Sequence, residues 1–420
     1  MAIYKNIRAS NDNKVREAKL LFPLILVGVL APALGWGQNV RDYIVDPNPV
    51  FAPLEKTIGY YTSTTVRSVA VGSSSDDGGP GGMYLYISSG DLSGPWSQSV
   101  IDPNGDFYER ARPLQNPGDA YPSIVASRSG QMVLYQNPLN SGGDPTQPWP
   151  MFVIANSGCH DIRVVDLDGD GKPDIVCSAS LVLGSQPLIA YQNSPTSWQI
   201  INNPFTDPSG NSPGDSVNLI SVAGSPRTNV LGATVNGVYW FRNPGNRTGR
   251  WVPRLINNGG NRNDIDETAL GVVPYGGASD AVIVASGEEP NGPWPNGLAV
   301  LFSADGRKWA PQRLDTTYRA VHEVNGGDEL GPFFIVDEQE QVAPGCNSLG
   351  FNEHPADDPA CRVTLFQYQA GAFVPTLELS SLGTHNQAYI SYGNGIAVAG
   401  ANHNLYGATD PALHIWFVSQ

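Results

Sequence analysis

Charged residues and helical patterns are both scarce in this sequence of 420 residues. Asp, Glu, Lys and Arg make up 15% of the chain, and no long segment repeats its apolar residues with a helical period. Gly and Pro, 47 and 35 residues, instead separate many short apolar runs. Turn residues at such short intervals are typical of strands. The aromatic and β-branched runs exclude a disordered chain. We therefore predict an all-β protein.

Several functional signatures are absent. There is no G-x-S-x-G nucleophile elbow, no P-loop and no dinucleotide fingerprint after a strand. The glycine-rich segment 78–82 (GGPGG) is interpreted as a loop that joins two strands. Lys and Arg number 24 against 39 Asp and Glu, which gives a net charge of −15. Because phosphate binding needs clustered basic residues, this balance excludes nucleic acid as a partner.

Cysteine is rare, with one pair at Cys159 and Cys177 and another at Cys346 and Cys361. No C-x-x-C spacing occurs, which argues against a structural zinc site. In an exported protein an even number of cysteines indicates disulfides. Proximity favours Cys159–Cys177 and Cys346–Cys361, although four cysteines allow three pairings.

The N-terminus has the pattern of a secretory signal. A basic head precedes the apolar run 20–30 (LLFPLILVGVL), and small residues follow it. The alternative is a membrane anchor, but the run is shorter than the roughly 20 residues that a spanning helix needs, and prolines interrupt it. We predict cleavage near residues 35–37. Residues 1–37 are then the signal peptide, and 38–420 are one secreted domain without membrane insertion.

An internal repeat predicts the architecture. A strand that carries an aromatic residue recurs seven times, at 83–88, 132–137, 188–193, 238–243, 299–304, 363–368 and 413–418. A following strand that begins with Trp or Phe recurs six times, at 96–103, 149–156, 198–205, 251–258, 309–316 and 373–380. We interpret Trp96, Trp149, Trp198, Trp251 and Trp309 in these strands as packing between repeats rather than as ligand-stacking residues.

The missing seventh copy is at the other end of the chain. Residues 42–51 (DYIVDPNPVF) resemble 99–107, the last strand of the first unit. We predict that this N-terminal strand completes the last blade and closes a seven-bladed β-propeller of four-stranded blades. The alternatives are a six-bladed ring or an open array of sandwiches.

One hairpin carries a pattern of acidic residues typical of calcium loops. Within DLDGDGKPD (166–174), Asp166, Asp168, Asp170 and Asp174 occupy offsets 1, 3, 5 and 9, and the carbonyl of Lys172 occupies offset 7. Alternate residues of a curled loop point inward, and hard oxygen ligands suit Ca²⁺. We predict Ca²⁺ as a cofactor. No second-helix Glu follows, so the loop is not an EF-hand.

This segment, HDIRVVDLDGDGKPDIVCSAS (160–180), resembles an FG-GAP or VCBS-type repeat, the unit of integrin-like propellers. Later units are similar to VCBS repeats at 322–324 with 335–341, and at 383–387 with 400–408. The resemblance implies a seven-bladed propeller with calcium in blade hairpins. Only one unit here keeps the full acidic loop.

Polar residues recur where the innermost strand of each blade begins. One aligned position holds Arg110, His160, Asp215, Asp266, His322 and His385, and the next holds Asp161, Glu267, Glu323 and Asn386. In a propeller these positions meet at one mouth of the channel. His160, His322, Glu323 and His385 are candidate catalytic residues and could hold a second divalent metal. The others are candidate ligand-binding residues. A structural role, hydrogen bonding to the neighbouring blade, is the alternative.

Two functions fit these features. The first is an extracellular binding module, monomeric, whose loops or channel mouth recognise a glycan or a protein. The second is a metal-assisted sugar lyase or dehydratase, because the repeat also resembles the fungal aldos-2-ulose dehydratase group. In that reading a histidine takes the proton beside a carbonyl and a cation stabilises the enolate.

Overall fold

The short apolar runs form strands, as the spacing of turn residues predicts. In the computed structural model of the chain, the described residues are 39–49, 51, 53, 55–75, 80–107, 110–179, 185–214, 216–257, 269–285, 298–315, 321–338, 362–380, 387–401 and 412–419. None of their helices is long and apolar enough to cross a membrane. The predicted signal peptide (1–37) lies outside the described residues and stays a prediction.

The described strands group into seven antiparallel sheets of four, so the chain is a seven-bladed β-propeller. Blade 1 contains β2 (Glu55–Gly59), β3 (Ser68–Ser73), β4 (Gly82–Ser88) and β5 (Trp96–Asp102). Blade 2 contains β6 (Ala111–Leu114), β7 (Ser123–Arg128), β8 (Gln131–Tyr135) and β9 (Met151–Ala155). Blade 3 contains β10 (Ile162–Val165), β11 (Asp174–Cys177), β12 (Leu188–Ser194) and β13 (Ser197–Asn202).

The second half of the ring repeats this order. Blade 4 contains β14 (Val217–Ile220), β15 (Asn229–Thr234), β16 (Gly237–Arg242) and β17 (Val252–Asn257). Blade 5 contains β18 (Ala269–Val273), β19 (Ala281–Ala285), β20 (Leu298–Phe302) and β21 (Ala310–Asp315). Blade 6 contains β22 (Val321–Gly327), β23 (Phe333–Glu338), β24 (Val363–Gln369) and β25 (Ala372–Ser380).

Blade 7 joins the two ends of the chain, which confirms the predicted closure. Its strands are β26 (Ala388–Tyr392), β27 (Gly395–Ala401), β28 (Leu413–Ser419) and the N-terminal β1 (Asn39–Asp46). β1 pairs antiparallel with β28, with Tyr43 opposite Ile415. The pairing covers the edge that β28 would otherwise expose. Neither a six-bladed ring nor an open array fits this topology.

The core lies between the blades rather than in one central mass. Seven clusters of buried apolar residues occur in the described structure, and each joins two neighbouring blades. The five recurring tryptophans each pack in the cluster shared with the preceding blade; they are Trp96, Trp149, Trp198, Trp251 and Trp309. Their predicted packing role is confirmed. The innermost strands are left to line the axis.

One of the two predicted disulfides lies in the described part of the chain. Cys159, just before β10, is bonded to Cys177 at the end of β11, with a Cα–Cα distance of 5.4 Å. Both cysteines are fully buried, in the cluster between blades 2 and 3. Cys346 and Cys361 lie outside the described residues, so their pairing stays a prediction.

Replacing both cysteines of blade 3, as Cys159→Ala with Cys177→Ala, should lower the free energy of unfolding by about 3 kcal/mol. The bond closes a loop across a sequence separation of 18 residues and so restricts the conformational entropy of the unfolded chain. Removing the bond restores that entropy and makes unfolding more favourable. Urea unfolding of both proteins measures the difference, with reduced wild-type protein as the control. An unchanged midpoint would contradict the role of this bond.

Candidate functional site at the propeller axis

Eight charged side chains meet near the beginning of the innermost strands, and we call them the axial charge cluster. Its members are Glu55, Asp161, Glu323 and Asp337 with Lys56, Arg110, Arg112 and Arg163. Six of the eight are buried, and the side chains of Arg112 and Arg163 are 17% and 12% exposed. The cluster has four acidic and four basic groups, so each buried charge has a possible partner of opposite sign nearby.

Contacts within the cluster cross the axis. Arg112 Nη2 of blade 2 donates to Glu323 Oε1 of blade 6 at 3.1 Å, and Arg110 Nη1 lies 3.7 Å from Glu323 Oε2. Blades 2 and 6 are not neighbours in a ring of seven, so these side chains reach across its centre. Arg110 Nε also lies 3.8 Å from Asp161 Oδ1 of blade 3. Three residues from the two aligned repeat positions, Arg110, Asp161 and Glu323, therefore meet at the axis.

Glu55 of blade 1 completes the cluster from the side that the alignment did not include. Its Oε1 accepts hydrogen bonds from the Ala111 backbone N–H at 2.7 Å and from Arg112 Nη1 at 3.3 Å. Asp337 Oδ1 in turn accepts from the Glu323 backbone N–H at 2.6 Å. The cluster thus ties together blades 1, 2, 3 and 6.

Burial changes the protonation of the cluster. Desolvation raises the pKa of Glu55 to about 8, although Arg112 and Arg110 lower it, and desolvation raises the pKa of Asp337 well above its ordinary value. Burial also lowers the pKa of Lys56 to about 8. Desolvation opposes the charge of Arg110, but the carboxylates of Glu323, Glu55 and Asp161 hold its pKa above the ordinary value.

This arrangement is typical of a structural ion-pair network. The carboxylates of Asp161 and Glu323 are buried and already engaged by guanidinium groups, so a substrate does not have direct access to them. A general base must lie within hydrogen-bonding reach of the proton it removes. Among the described side chains, no set of three metal-ligating groups converges on the axis.

The other residues predicted for this ring have different positions. His160, half-buried, lies next to Asp161, and its backbone carbonyl accepts a hydrogen bond from the Arg110 N–H at 3.4 Å. His322 lies in β22, but its side chain is outside the described set. Asp215, Asp266, Glu267, His385 and Asn386 also lie outside the described residues. The catalytic and metal roles predicted for this ring stay predictions.

A cavity of about 400 Å³ adjoins the cluster, and we call it the axial cavity. Residues from the innermost strands of all seven blades line it. Arg112 and Arg163 form the side shared with the charge cluster, and Glu329 and Ser391 are exposed residues of its lining. The Ser391 hydroxyl donates to Glu329 Oε1 at 2.9 Å, and the Tyr389 hydroxyl donates to the Gly326 carbonyl at 2.7 Å.

The acidic loop between β10 and β11 brings three of its four carboxylates together. Oxygens of Asp166, Asp168 and Asp174 lie within 4.8 Å of one another. Gly169 and Gly171, with φ of 84° and 83°, let the loop curl through left-handed backbone. Asp166 Oδ1 accepts from the Gly169 N–H at 2.7 Å, and burial raises the pKa of Asp174 to about 6. Three converging carboxylates fit a calcium ion.

Two of the four carboxylates, Asp168 and Asp170, are in contact with cationic side chains. Asp170 Oδ2 is 2.7 Å from Lys172 Nζ and 3.0 Å from Arg247 Nη2. Arg247 comes from the loop between β16 and β17 of blade 4, and it also forms an ion pair with Asp168. The protein therefore supplies cations of its own to this loop.

Sequence reasoning missed six residues at these two sites. At the axis they are Glu55, Lys56, Arg112, Arg163 and Asp337, and at the acidic loop Arg247. A signal for two of them exists, because Arg112 and Arg163 lie two residues after Arg110 and Asp161, and alternate residues of a strand share a face. Asp337 and Arg247 lie on other strands or loops and have no such signal.

Known proteins share the fold of this chain. No family model and no curated protein matches it. The chain is similar to the solved structure of the polysaccharide lyase Uly1 (TM-score 0.51, 8% identity, 90% of this chain and 92% of that chain). It is also similar to BBS1N in complex with ARL6DN, soaked with mercury (0.49, 11%, 90% and 95%). A third similar structure is SapL1 lectin in complex with alpha methyl fucoside (0.43, 12%, 78% and 97%). At 8% identity the likeness to the Uly1 structure shows the fold alone.

Proposed function

We propose that this chain is a secreted, calcium-stabilised propeller of the FG-GAP/VCBS repeat type that acts as a monomer and binds a glycan in its axial cavity. The cavity itself is the observation that carries the proposal. Its volume of about 400 Å³ falls in the range of small-ligand sites. A volume of this size accommodates one or two sugar units, which favours a glycan over a protein segment as the occupant.

The lining of the cavity offers the groups that sugar hydroxyls bind. The guanidinium groups of Arg112 and Arg163 donate hydrogen bonds, the carboxylate of Glu329 accepts them, and the phenol of Tyr389 does both. The Tyr389 ring packs edge-on against Phe333, with ring centroids 5.4 Å apart. A half-buried aromatic ring beside polar groups suits the mixed surface of a sugar.

Binding is favoured over catalysis by the state of the axial charge cluster. Asp161 and Glu323 are paired with arginines, which favours a role in holding blades together over a role as a general base. The lyase hypothesis depends on His160, His322 and His385, and the binding experiment below tests it as well.

Screening the full chain, expressed in a secreting host, on an array of immobilised oligosaccharides should give at least one specific glycan. Glu329→Ala should weaken that binding by about tenfold, because it removes a charged acceptor from the cavity. Titration calorimetry measures the change. The matched control is Glu378→Ala, an exposed glutamate on β25 of the same blade, which should bind like the wild type.

Two outcomes would overturn the binding proposal. One is equal affinity of the Glu329→Ala and Glu378→Ala proteins for the selected glycan. The other is release of an unsaturated sugar product from that glycan, blocked by His322→Ala, which would establish the lyase hypothesis instead.

Calcium is proposed at the acidic loop on two grounds: the convergence of Asp166, Asp168 and Asp174 and the resemblance of the loop to calcium-binding repeats. The ion would be held by those three carboxylates and would brace the first hairpin of blade 3. The Cys159–Cys177 bond closes the other end of the same hairpin. A buried disulfide also supports export to an oxidising compartment.

Calcium at about one hundred times its dissociation constant should stabilise the fold by about 2.7 kcal/mol over chelator-treated protein. Thermal unfolding with calcium and with chelator measures this difference as a shift in melting temperature. Asp166→Ala should abolish the shift, whereas Asp144→Ala, an exposed aspartate in blade 2, should keep it. A melting temperature that calcium does not change would refute the site.

A further inference from the structure

A second, larger pocket lies where blade 4 meets blade 5, and we call it the interblade pocket. Its volume is about 740 Å³. The turn after β14 in blade 4 and the turn between β20 and β21 in blade 5 form two of its walls. None of its lining residues belongs to the axial cavity.

The pocket is built on a fixed frame. The Ser221 N–H donates to Asp280 Oδ2 at 2.6 Å, and the Asp280 N–H donates back to the Ser221 carbonyl at 2.9 Å. The Ala223 N–H donates to Ser279 Oγ at 2.9 Å. Gly306 has a φ of 67°, and a Cβ there would lie 2.3 Å from Val222 Cγ1, so the two turns are in close contact. A site held in this way needs little ordering to bind a ligand.

Three arginines surround the pocket. Arg242 and Arg254 lie on the outer two strands of blade 4, and Trp240 is directly opposite Arg254 in the β16–β17 ladder. Alternate and opposite residues share a face of a sheet, so both arginines flank Trp240 on one face. Trp240 packs in the cluster between blades 4 and 5, which shows that this face is turned toward blade 5. Arg307 joins them from the blade 5 turn.

Within the described structure the positive charge of these arginines is only partly offset, because the Asp305 carboxylate lines the same pocket and attracts Arg307. Arg242, Arg254 and Arg307 are exposed, and no described carboxylate forms an ion pair with any of them. Asp305 also lines the pocket, but its Oδ1 accepts hydrogen bonds from the N–H groups of Arg307 (2.8 Å) and Lys308 (3.0 Å) in its own turn. Three clustered guanidinium groups in a protein of net charge −15 favour an anionic ligand.

Little apolar surface accompanies this charge. Trp240 forms part of the lining but is only 7% exposed, and Leu255, which follows Arg254 in β17, belongs to the opposite face of the sheet. The volume of the pocket exceeds that of a single inorganic anion several-fold. A ligand that carries several anionic groups on a polar backbone matches both the charge and the size of the pocket.

We infer that the interblade pocket binds an acidic oligosaccharide, with carboxylate or sulfate groups on the three arginines. This site is separate from the axial cavity and does not depend on the function proposed there.

Titration calorimetry on the full chain tests the inference with four probes. Two are acidic, an oligogalacturonate tetramer and a heparin-derived tetrasaccharide; maltotetraose is neutral, and inorganic sulfate is the free anion. At least one acidic tetrasaccharide should bind at least tenfold more tightly than maltotetraose and sulfate. Arg254→Ser and Arg307→Ser should each weaken that binding about tenfold.

One control variant separates this site from general charge. Arg250→Ser removes an exposed arginine from the adjacent β16–β17 loop and should bind the acidic probe within twofold of the wild type. Equal loss in Arg250→Ser and Arg254→Ser would overturn the inference, because it would mean unspecific attraction. Failure of both acidic probes, or an affinity no better than that of sulfate, would overturn it as well.

Discussion

Arg110→Leu should lower the free energy of unfolding by about 3–5 kcal/mol, because it leaves buried carboxylates without one of their cations. Arg110 is 4% exposed and lies within 3.8 Å of carboxylate oxygens of Glu55, Asp161 and Glu323. Most of this loss comes from the buried carboxylates that keep their charge without a cation. The ion pairs themselves contribute less, because desolvation already offsets much of their attraction.

Urea unfolding at neutral pH measures this change. Arg250→Leu, which removes an exposed arginine, is the matched control and should stay within about 0.5 kcal/mol of the wild type. Arg112→Leu, at the partly exposed edge of the cluster, should fall between the two. A loss below about 1 kcal/mol in Arg110→Leu would show that the cluster does not hold the blades together.

Stability should fall as the pH rises from about 5.5 to about 8, and Glu55→Gln should remove a large part of that fall. Burial raises the pKa of Glu55 from 4.5 to about 8, so in this window the folded protein holds a proton that the unfolded chain has released. The unfolded state then binds fewer protons, and the free energy of unfolding decreases with pH. The contribution of Glu55 is on the order of 3 kcal/mol across the window.

The contribution of Glu55 is obtained by comparing the slope of unfolding free energy against pH in the wild type and in Glu55→Gln. The pKa values of Asp337 and Asp174 are also raised by burial, so the wild type and the Glu55→Gln variant share that part of the slope. Lys56, with its pKa lowered by burial to about 8, adds a slope of opposite sign that begins near the upper end of the window and lies mainly above it. Glu378→Gln, an exposed glutamate, should keep the full wild-type slope. Parallel slopes in wild type and Glu55→Gln would contradict a protonated, buried Glu55.

The architecture could be predicted from the sequence because the propeller repeats itself. Seven aromatic strands and six Trp- or Phe-led strands fixed the number of blades, and the resemblance of 42–51 to 99–107 located the closing strand. That strand does pair with β28, with Asp42 opposite Trp416. Local patterns sufficed here because each blade is a local unit and only its last strand comes from elsewhere.

The site was less predictable, because contacts across the axis join side chains from distant parts of the chain. The local sequence pattern around one residue does not identify its partner. The repeat placed Arg110, Asp161 and Glu323 at the axis, but it could not show that these groups neutralise one another. Arg247 is a similar case, since its contact with the acidic loop spans two blades. Pockets between blades also depend on turns that are far apart in the chain, so the proximity of Arg254 and Arg307 could be seen only in the folded structure.

The central claim, that the axial cavity is where this propeller binds a glycan, is tested most directly by a crystal structure of the protein with the oligosaccharide selected on the array. The account predicts sugar density on the axis, within hydrogen-bonding distance of Glu329 and Tyr389. Sugar bound only elsewhere on the propeller, with the axis filled by solvent, would contradict it.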